Sequence, residues 1–326
     1  MLKNTHDTTV TVTGAAGYFG AVLCRKLLAE GYRVRAVDNL RYHGEALLGL
    51  LDEPGLTFFK SDVRDDTAMG QVCAGADAVV HLAALVGEPV CRINPAETEA
   101  VNDRATRSLA KIAAEAGAGL FIFSSTCSNY GKSEDGRALN EEDALQPLSL
   151  YSETKIAAEQ ALLHTNYGAM QAVVLRFATL FGVSPAMRFD LLVQEFVRDA
   201  YVTGRLEVYN PQAWRPFLHV ADAAEAIVRV LKAGTPSSRV YNVGDEALNS
   251  RKAGLADYVL SLVPGAEMLV NDTKADPRDY RVDFSRFADE FDFRATRDLR
   301  QGVEQIIRLL RDGIVSDPFS KRFNKV

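Results

Sequence analysis

The chain opens on an alternation of threonine and valine. Thr8 to Thr13 reads as a β-branched run that suits a buried strand. A glycine-punctuated turn follows. Ala21–Glu30 then sets Val22, Leu23, Leu27 and Leu28 on a helical period, and Gly31 stops it. The same beat repeats downstream. Arg33–Val37, Leu56–Lys60, Ala76–Leu82, Leu120–Ser124 and Ala172–Phe177 are short apolar runs of strand length. Helical patterns cover Pro95–Ala116 and Tyr151–His164. Strands alternating with helices at this rhythm predict an α/β fold with a parallel, doubly wound sheet.

From Gly182 the beat loosens, with Pro185, Pro211 and Pro216 interrupting it. Met187–Tyr201 reads as an amphipathic helix and Ala221–Ala233 as another. Arg239–Val243 is a strand expected to rejoin the sheet, and a charge-rich C-terminal part follows Gly244. The pattern predicts two interleaved domains. Residues 1–178 with 217–244 form a Rossmann-type dinucleotide domain, and residues 179–216 with 245–326 form a smaller substrate domain. The basic end, Ser-Lys-Arg-Phe-Asn-Lys-Val, reads as a solvated tail.

Composition narrows the class. With 326 residues, 47% hydrophobic and 25% charged, the chain suits a soluble globular protein. A formal charge of −6 without a basic stripe argues against nucleic acid as a partner. The polar start and the lack of a long apolar run predict neither signal peptide nor membrane span. Cys24, Cys73, Cys91 and Cys127 have no C-x-x-C spacing, which predicts free thiols in a reduced, cytoplasmic setting. The histidines are scattered, so no metal is expected.

Three stretches carry chemistry. Gly14, Gly17 and Gly20 give a tight turn, close approach to a diphosphate, and packing of helix on strand. The free N–H groups at that helix start suit phosphate oxygens. Asp38 closes the second strand eighteen residues after Gly20. That distance suits an acid on the adenosine ribose, and its charge favours NAD over NADP. Asp62, after the third strand, could reach an adenine edge or cap a helix. Tyr151 and Lys155 stand four residues apart and share a helix face. A cation beside a phenol lowers its pKa, so Tyr151 could take a proton from a sugar hydroxyl as hydride leaves the same carbon. Ser124 to Gly131 is a hydroxyl-rich run at the sheet's carboxyl edge, where this architecture binds ligands.

Taken in order, TGAAGYFG, VDNL, SDV, HLAA, VN at 101–102, SSTCSNYG, YSETK and RPFLHVADAAEAI resemble the extended short-chain dehydrogenase/reductases. More narrowly they resemble the NAD-dependent epimerase/dehydratase group. The resemblance implies NAD as cofactor, a nucleotide-sugar substrate and a homodimer paired through helices near 97–116 and 151–165. It places Gly14, Gly17 and Gly20 on the diphosphate and Asp38 and Asn39 on the ribose. Asp62 and Val63 fall on the adenine, and Leu82, Ala83 and Ala84 beside the nicotinamide half. Tyr18, Phe19, Leu40, Asn102, Ser124 and Phe177 join that cofactor set. Tyr151 and Lys155 match the catalytic pair and Thr126 the catalytic Ser/Thr. Arg215 matches an arginine that grips the nucleotide-sugar diphosphate.

The match departs at several points. Thr179 stands where 4-epimerases carry Asn, and either Arg278 or Lys274 must replace a C-terminal arginine. Cys127 and Ser128 replace the Asp-Glu pair of 4,6-dehydratases, which disfavours standard dehydration. Cys127 is either a proton donor or a small buried apolar group. Ser128 and Arg188 complete the expected substrate side. The reading is a C4 epimerase working through a transient 4-keto sugar. Alternatives are a 4-keto-sugar reductase, an unusual dehydratase using Cys127, and a non-catalytic NAD-sensing protein.

Overall fold

β-Branched and apolar runs place seven strands side by side. They are β1 (Thr9–Thr13), β2 (Arg33–Asp38), β3 (Leu56–Lys60), β4 (Ala78–His81), β5 (Leu120–Thr126), β6 (Gln171–Phe177) and β7 (Val240–Val243). The computed structural model describes residues 5–133, 136–271 and 276–325. The strand order is β7-β6-β5-β4-β1-β2-β3, and every pairing is parallel. The chain leaves the centre toward one edge and then returns to build the other. Its switch point lies between β1 and β4, where a crevice opens at the strands' carboxyl ends.

Beyond β1, which gives Val10 and Val12 to one core only, the strands feed two cores by their period of two. Leu120 and Ile122 join one core, with Val10, Val12, Leu23 and Leu27. That face is covered by α1 (Tyr18–Ala29) and, later in the chain, the helix Val220–Ala233. Phe121 and Phe123 join the other, under α2 (Ala105–Glu115) and α3 (Leu150–His164). A third core, around Phe181, Phe189, Phe196 and Phe217, lies under the helices Leu192–Thr203, Lys252–Leu262 and Leu299–Arg311. A small sheet runs through it, made of Thr179–Phe181, Trp214–His219 and Asn249–Arg251. The boundary expected at residue 217 falls inside one of its strands, because Phe217 to His219 pair with Thr179 to Phe181.

Two local expectations change, a third gains a local detail and a fourth cannot be compared with the fold. The helix expected over Met187–Tyr201 begins at Leu192. Phe189 N instead donates to Phe323 O at 2.9 Å, and Arg188 pairs with Asp190, so the first turn cannot form. The stretch expected as helical over Pro95–Ala116 is helical from Pro95 to Glu115 and contains a π-helical turn over Ala100–Arg104. That wider turn carries Asn102, a place where such turns often serve a site. The C-terminal end is not a solvated tail, because Phe323 packs on Phe189 and Lys325 is desolvated. Lys274 lies outside the described residues.

Behind the sheet's carboxyl edge sits a buried ionic web. Arg176 of β6 pairs with Glu159 of α3 at 2.8 Å, with 5% and 0% of the two side chains exposed. Glu159 also accepts from Ser125 Oγ of β5 and from Asn129 Nδ2. Arg176 donates to the Tyr130 hydroxyl, which donates to Asn242. Removing one partner strands the other charge in the core. Glu159→Ala is therefore expected to cost about 3–5 kcal/mol in urea unfolding; a loss within experimental error would mean the web is solvated.

Candidate active site

One continuous cavity of about 730 Å³ runs from the glycine turn to Arg215 and Arg278. Its floor at the first end is set by close backbone approach. Gly14 has φ 72°, and a Cβ there would lie 2.8 Å from Ala83 N. A Cβ on Gly20 would meet Gly14 O at 2.0 Å. Gly17 precedes α1, and no side chain caps that helix start. Uncapped amides at a helix N-terminus lining a cavity are what a diphosphate requires.

Asp38, Asn39 and Asp62 line the cavity next to this turn. Asp38 accepts from Ala16 N at 3.0 Å and Leu40 N at 2.8 Å, and burial raises its pKa. Leu40 takes φ 58°, the left-handed region that a non-glycine residue adopts only under local constraint. Asn39 donates to Asp62 at 3.0 Å. Arg64 holds the Asp62 carboxyl well below its ordinary range. Val63, Leu82, Ala83, Ala84, Ser124 and Phe177 also face the cavity. Phe19 meets the Phe177 ring edge-on at 5.2 Å between centroids. Tyr18 lines the wall, but its hydroxyl donates to Gly182 O at 2.7 Å and ties α1 to the substrate side.

The catalytic end is set by α3. Ser149 caps it by accepting from Ser152 N. Tyr151 lines the cavity and Lys155 lies one turn deeper. The Lys155 ammonium donates to Ser124 O at 2.8 Å and sits 4.5 Å from the Phe123 ring centroid. Burial lowers its pKa from 10.5 to about 8, against the attraction of Glu159. Burial raises the Tyr151 phenol well above its ordinary value, with Cys91 adding to the rise and Arg188 opposing it. Burial therefore works against the acidification of the phenol expected from sequence. Its environment is desolvated, and Lys155 is spent on Ser124. Thr126 lines the cavity and accepts from Ser128 N at 3.1 Å.

Cations gather at the far end. Arg215, 3% exposed, donates to Asp276 at 2.6 Å. Arg278 donates to the same carboxylate at 2.8 Å and Lys252 at 3.1 Å. Burial works to raise the Asp276 pKa, but Arg278, Arg215 and Lys252 outweigh it and hold the group well below its usual range. Three cations on one carboxylate leave net positive charge facing the cavity, suited to a diphosphate.

The comparisons fit this geometry. Residues 10–244 match the NAD dependent epimerase/dehydratase family. This chain belongs to that family. A dTDP-glucose 4,6-dehydratase of Streptomyces antibioticus is 30% identical over 95% of both chains. A UDP-glucose 4-epimerase of Rhizobium leguminosarum bv. trifolii is 32% identical over 69% of this chain and 72% of its own. The solved structure of MoeE5 in complex with UDP-glucuronic acid and NAD has a TM-score of 0.80 at 27% identity, covering 93% of this chain and 99% of that one. Like its family, the chain uses NAD, and the glycine turn with Asp38 fits that group.

Within the epimerase/dehydratase frame, four expected site residues do not line the cavity: Leu40, whose side chain packs against the first core, Lys155, which is held on Ser124 O beneath the wall, Cys127 and Asn102. Cys127 is 1% exposed, and its Sγ donates to Arg176 O at 3.1 Å. The one-turn 3₁₀ helix Cys127–Tyr130 breaks the strand's alternation and turns the thiol into the core. Burial pushes its pKa far up, and the thiol faces the core rather than the cavity. Asn102 is fully buried and brackets Leu85, accepting from its N at 2.8 Å and donating to its O at 2.9 Å. It fixes the loop after Ala84.

Ser128, Thr179 and Arg188 do face the cavity. The Arg188 guanidinium is held by Asp190 at 2.7 Å, and Ser128 Oγ accepts from the Tyr280 hydroxyl at 3.3 Å. Of the two candidates for the C-terminal arginine, Arg278 reaches the cavity. Sequence reasoning missed Lys252, Asp276, Tyr280 and Lys325. None sits in a spaced motif, although the Asp-Pro-Arg-Asp-Tyr stretch around Arg278 is a local signal.

Two outcomes follow for the cofactor-free protein. The folded pKa of Lys155 lies below the unfolded one, so the unfolded chain binds more protons between about pH 8 and 10.5. Native stability therefore gains from Lys155 deprotonation as pH rises through that window. In thermal melts, the difference between wild type and Lys155→Met should move in favour of wild type as pH rises from 7 toward 10. A difference independent of pH would contradict the desolvated ammonium. Cys127→Ala should lower the melting temperature while leaving NAD affinity unchanged in calorimetry; lost NAD binding would place the thiol in the site after all.

Proposed function

We propose that the chain is an NAD-dependent nucleotide-sugar epimerase acting at C4 through a transient 4-keto sugar. The observation that carries this reading is the wall after Thr126. Cys127 points into the core, and Ser128 presents only a hydroxyl, paired with Tyr280. A 4,6-elimination needs an acid to protonate the leaving hydroxyl and a base beside the ketone. Neither carboxylate of the usual pair is present there. Of the acids lining the cavity toward the sugar end, Asp190 and Asp276 are bound to Arg188 and the Arg215 cluster, and Glu88 gives one oxygen to Arg92 while its other oxygen is buried without a hydrogen-bond partner.

NAD, when bound, supplies a hydride acceptor that can return the same hydride. Tyr151 accepts the C4 hydroxyl proton and later gives it back. Thr126 shares a hydrogen bond with the same sugar oxygen. Positive charge near the phenol lowers its pKa by roughly one to three units and offsets burial. Lys155, one turn away on the same helix face, contributes to that charge. Arg215, Lys252 and Arg278 grip the diphosphate, leaving the sugar free to turn between hydride removal and return. A hydride that is returned leaves no net oxidation.

The same reading includes a cytoplasmic homodimer joined through helices near 97–116 and 151–165, by fold-level analogy. Light scattering on the purified protein tests the dimer.

The decisive assay incubates the holoprotein with a panel of UDP- and dTDP-sugars and follows products by NMR. A C4 epimer formed without added NADH is expected. Consumption of NADH in step with product would mean a reductase, and loss of water would mean a dehydratase. Tyr151→Phe should cut turnover by about 10²–10⁴-fold while NAD affinity holds. Retained turnover would remove Tyr151 from the chemistry.

A further inference from the structure

The last described residues cross the mouth of the cleft. Arg322, Phe323 and Lys325 line the cavity beside Asp38, Tyr42 and Glu45. Their anchors lie on both banks. On the substrate side, Phe323 O accepts from Phe189 N at 2.9 Å, and the two rings meet edge-on at 5.9 Å. Arg198 donates to Asn324 at 3.0 Å and lies 4.6 Å from the Phe319 ring centroid. Lys325 N donates to Asp190 at 3.2 Å. On the cofactor side, the Lys325 ammonium sits 4.0 Å from the Tyr42 ring centroid, and Arg322 pairs with Glu45 at 3.4 Å.

Tyr42 and Glu45 follow closely on Asp38 and Leu40, the loop at the adenosine end of the NAD site. A segment tied to both banks there must move before a dinucleotide seated on the glycine turn can leave. The Lys325 ammonium adds a cation at this end, within electrostatic reach of Asp38 and Asp190. Burial and Arg188 lower its pKa to about 7, and the two aspartates oppose that fall. Such desolvation marks an ammonium enclosed by the cleft rather than one on a free tail.

We propose that residues 318–325 form a strap that closes the adenosine end of the NAD site and keeps the cofactor bound between turnovers. The proposal rests on the NAD assignment and not on the sugar chemistry. A retained cofactor suits a reaction that returns its own hydride, and it hinders one that must exchange NADH in every cycle.

The test loads the purified protein with radiolabelled NAD⁺, chases with excess unlabelled NAD⁺, and measures release without any nucleotide sugar. Wild type is compared with an Arg322→Glu/Lys325→Glu variant and with a chain ended after Asp317. Both variants are expected to release NAD⁺ about tenfold faster or more. Circular dichroism of the double variant should match wild type. Should the shortened chain fail to fold, the double variant decides alone, since it keeps the Phe319 and Phe323 packing. Release at the wild-type rate from the folded variants overturns the proposal. So does a wild-type protein that loses its NAD⁺ within a single desalting step.

Discussion

The site depends on how α3 is pegged to the end of β5. Lys155 donates to Ser124 O, and Glu159, one turn further, accepts from Ser125. Two successive residues of the strand are thus held by two successive turns of the helix. The charges that do this are buried, and each needs its partner. The Lys155 ammonium has Ser124 and the Phe123 face; the Glu159 carboxylate has Arg176, Asn129 and Ser125. Because a buried ion without its partner is costly, the helix cannot slide or roll by a turn. Tyr151, on the same helix, is therefore delivered to the cavity wall in one place. The hydroxyl-rich edge of β5 faces it there.

The cavity is electrostatically divided. At the glycine-turn end, Asp38 and Asp62 line the cavity, and Asp38 is kept in place by two backbone amides. At the other end, Arg215, Lys252 and Arg278 share one aspartate. On the proposed reading this division sorts a dinucleotide from a second diphosphate ligand by charge, and Tyr151 and Thr126 line the same cavity. Apolar burial on both faces of the sheet holds these ends in fixed register, since strands and helices alike are packed into closed cores.

Much of this was legible in the sequence because the signals are local. Strand alternation, the helical period and the glycine spacing each act within a few residues. They marked all seven sheet strands and the nucleotide turn, with ends shifted by a few residues at most. What was not legible depends on contacts distant in the chain. Lys252 is a single lysine at a helix start, and only its meeting with Asp276 gives it meaning. Phe323 and Lys325 sit in a polar, basic end whose composition looks solvated, yet their partners lie at Phe189, Asp190 and Tyr42. Cys127 was ambiguous because a 3₁₀ turn begins at that residue and cancels the strand's parity. Asn102 looked like a ligand contact, but a π-helical turn redirects it to the Leu85 backbone.

The account turns on a phenol that burial makes a weak acid and that only added positive charge makes a usable base. Carbon-13 NMR of ring-labelled tyrosine, with Tyr151→Phe used to assign the signal, reads this titration directly. Without NAD⁺ the Tyr151 phenol should titrate above the ordinary value of about 10, and with NAD⁺ bound it should fall by roughly one to three units. The same titration with and without NAD⁺ would contradict the account.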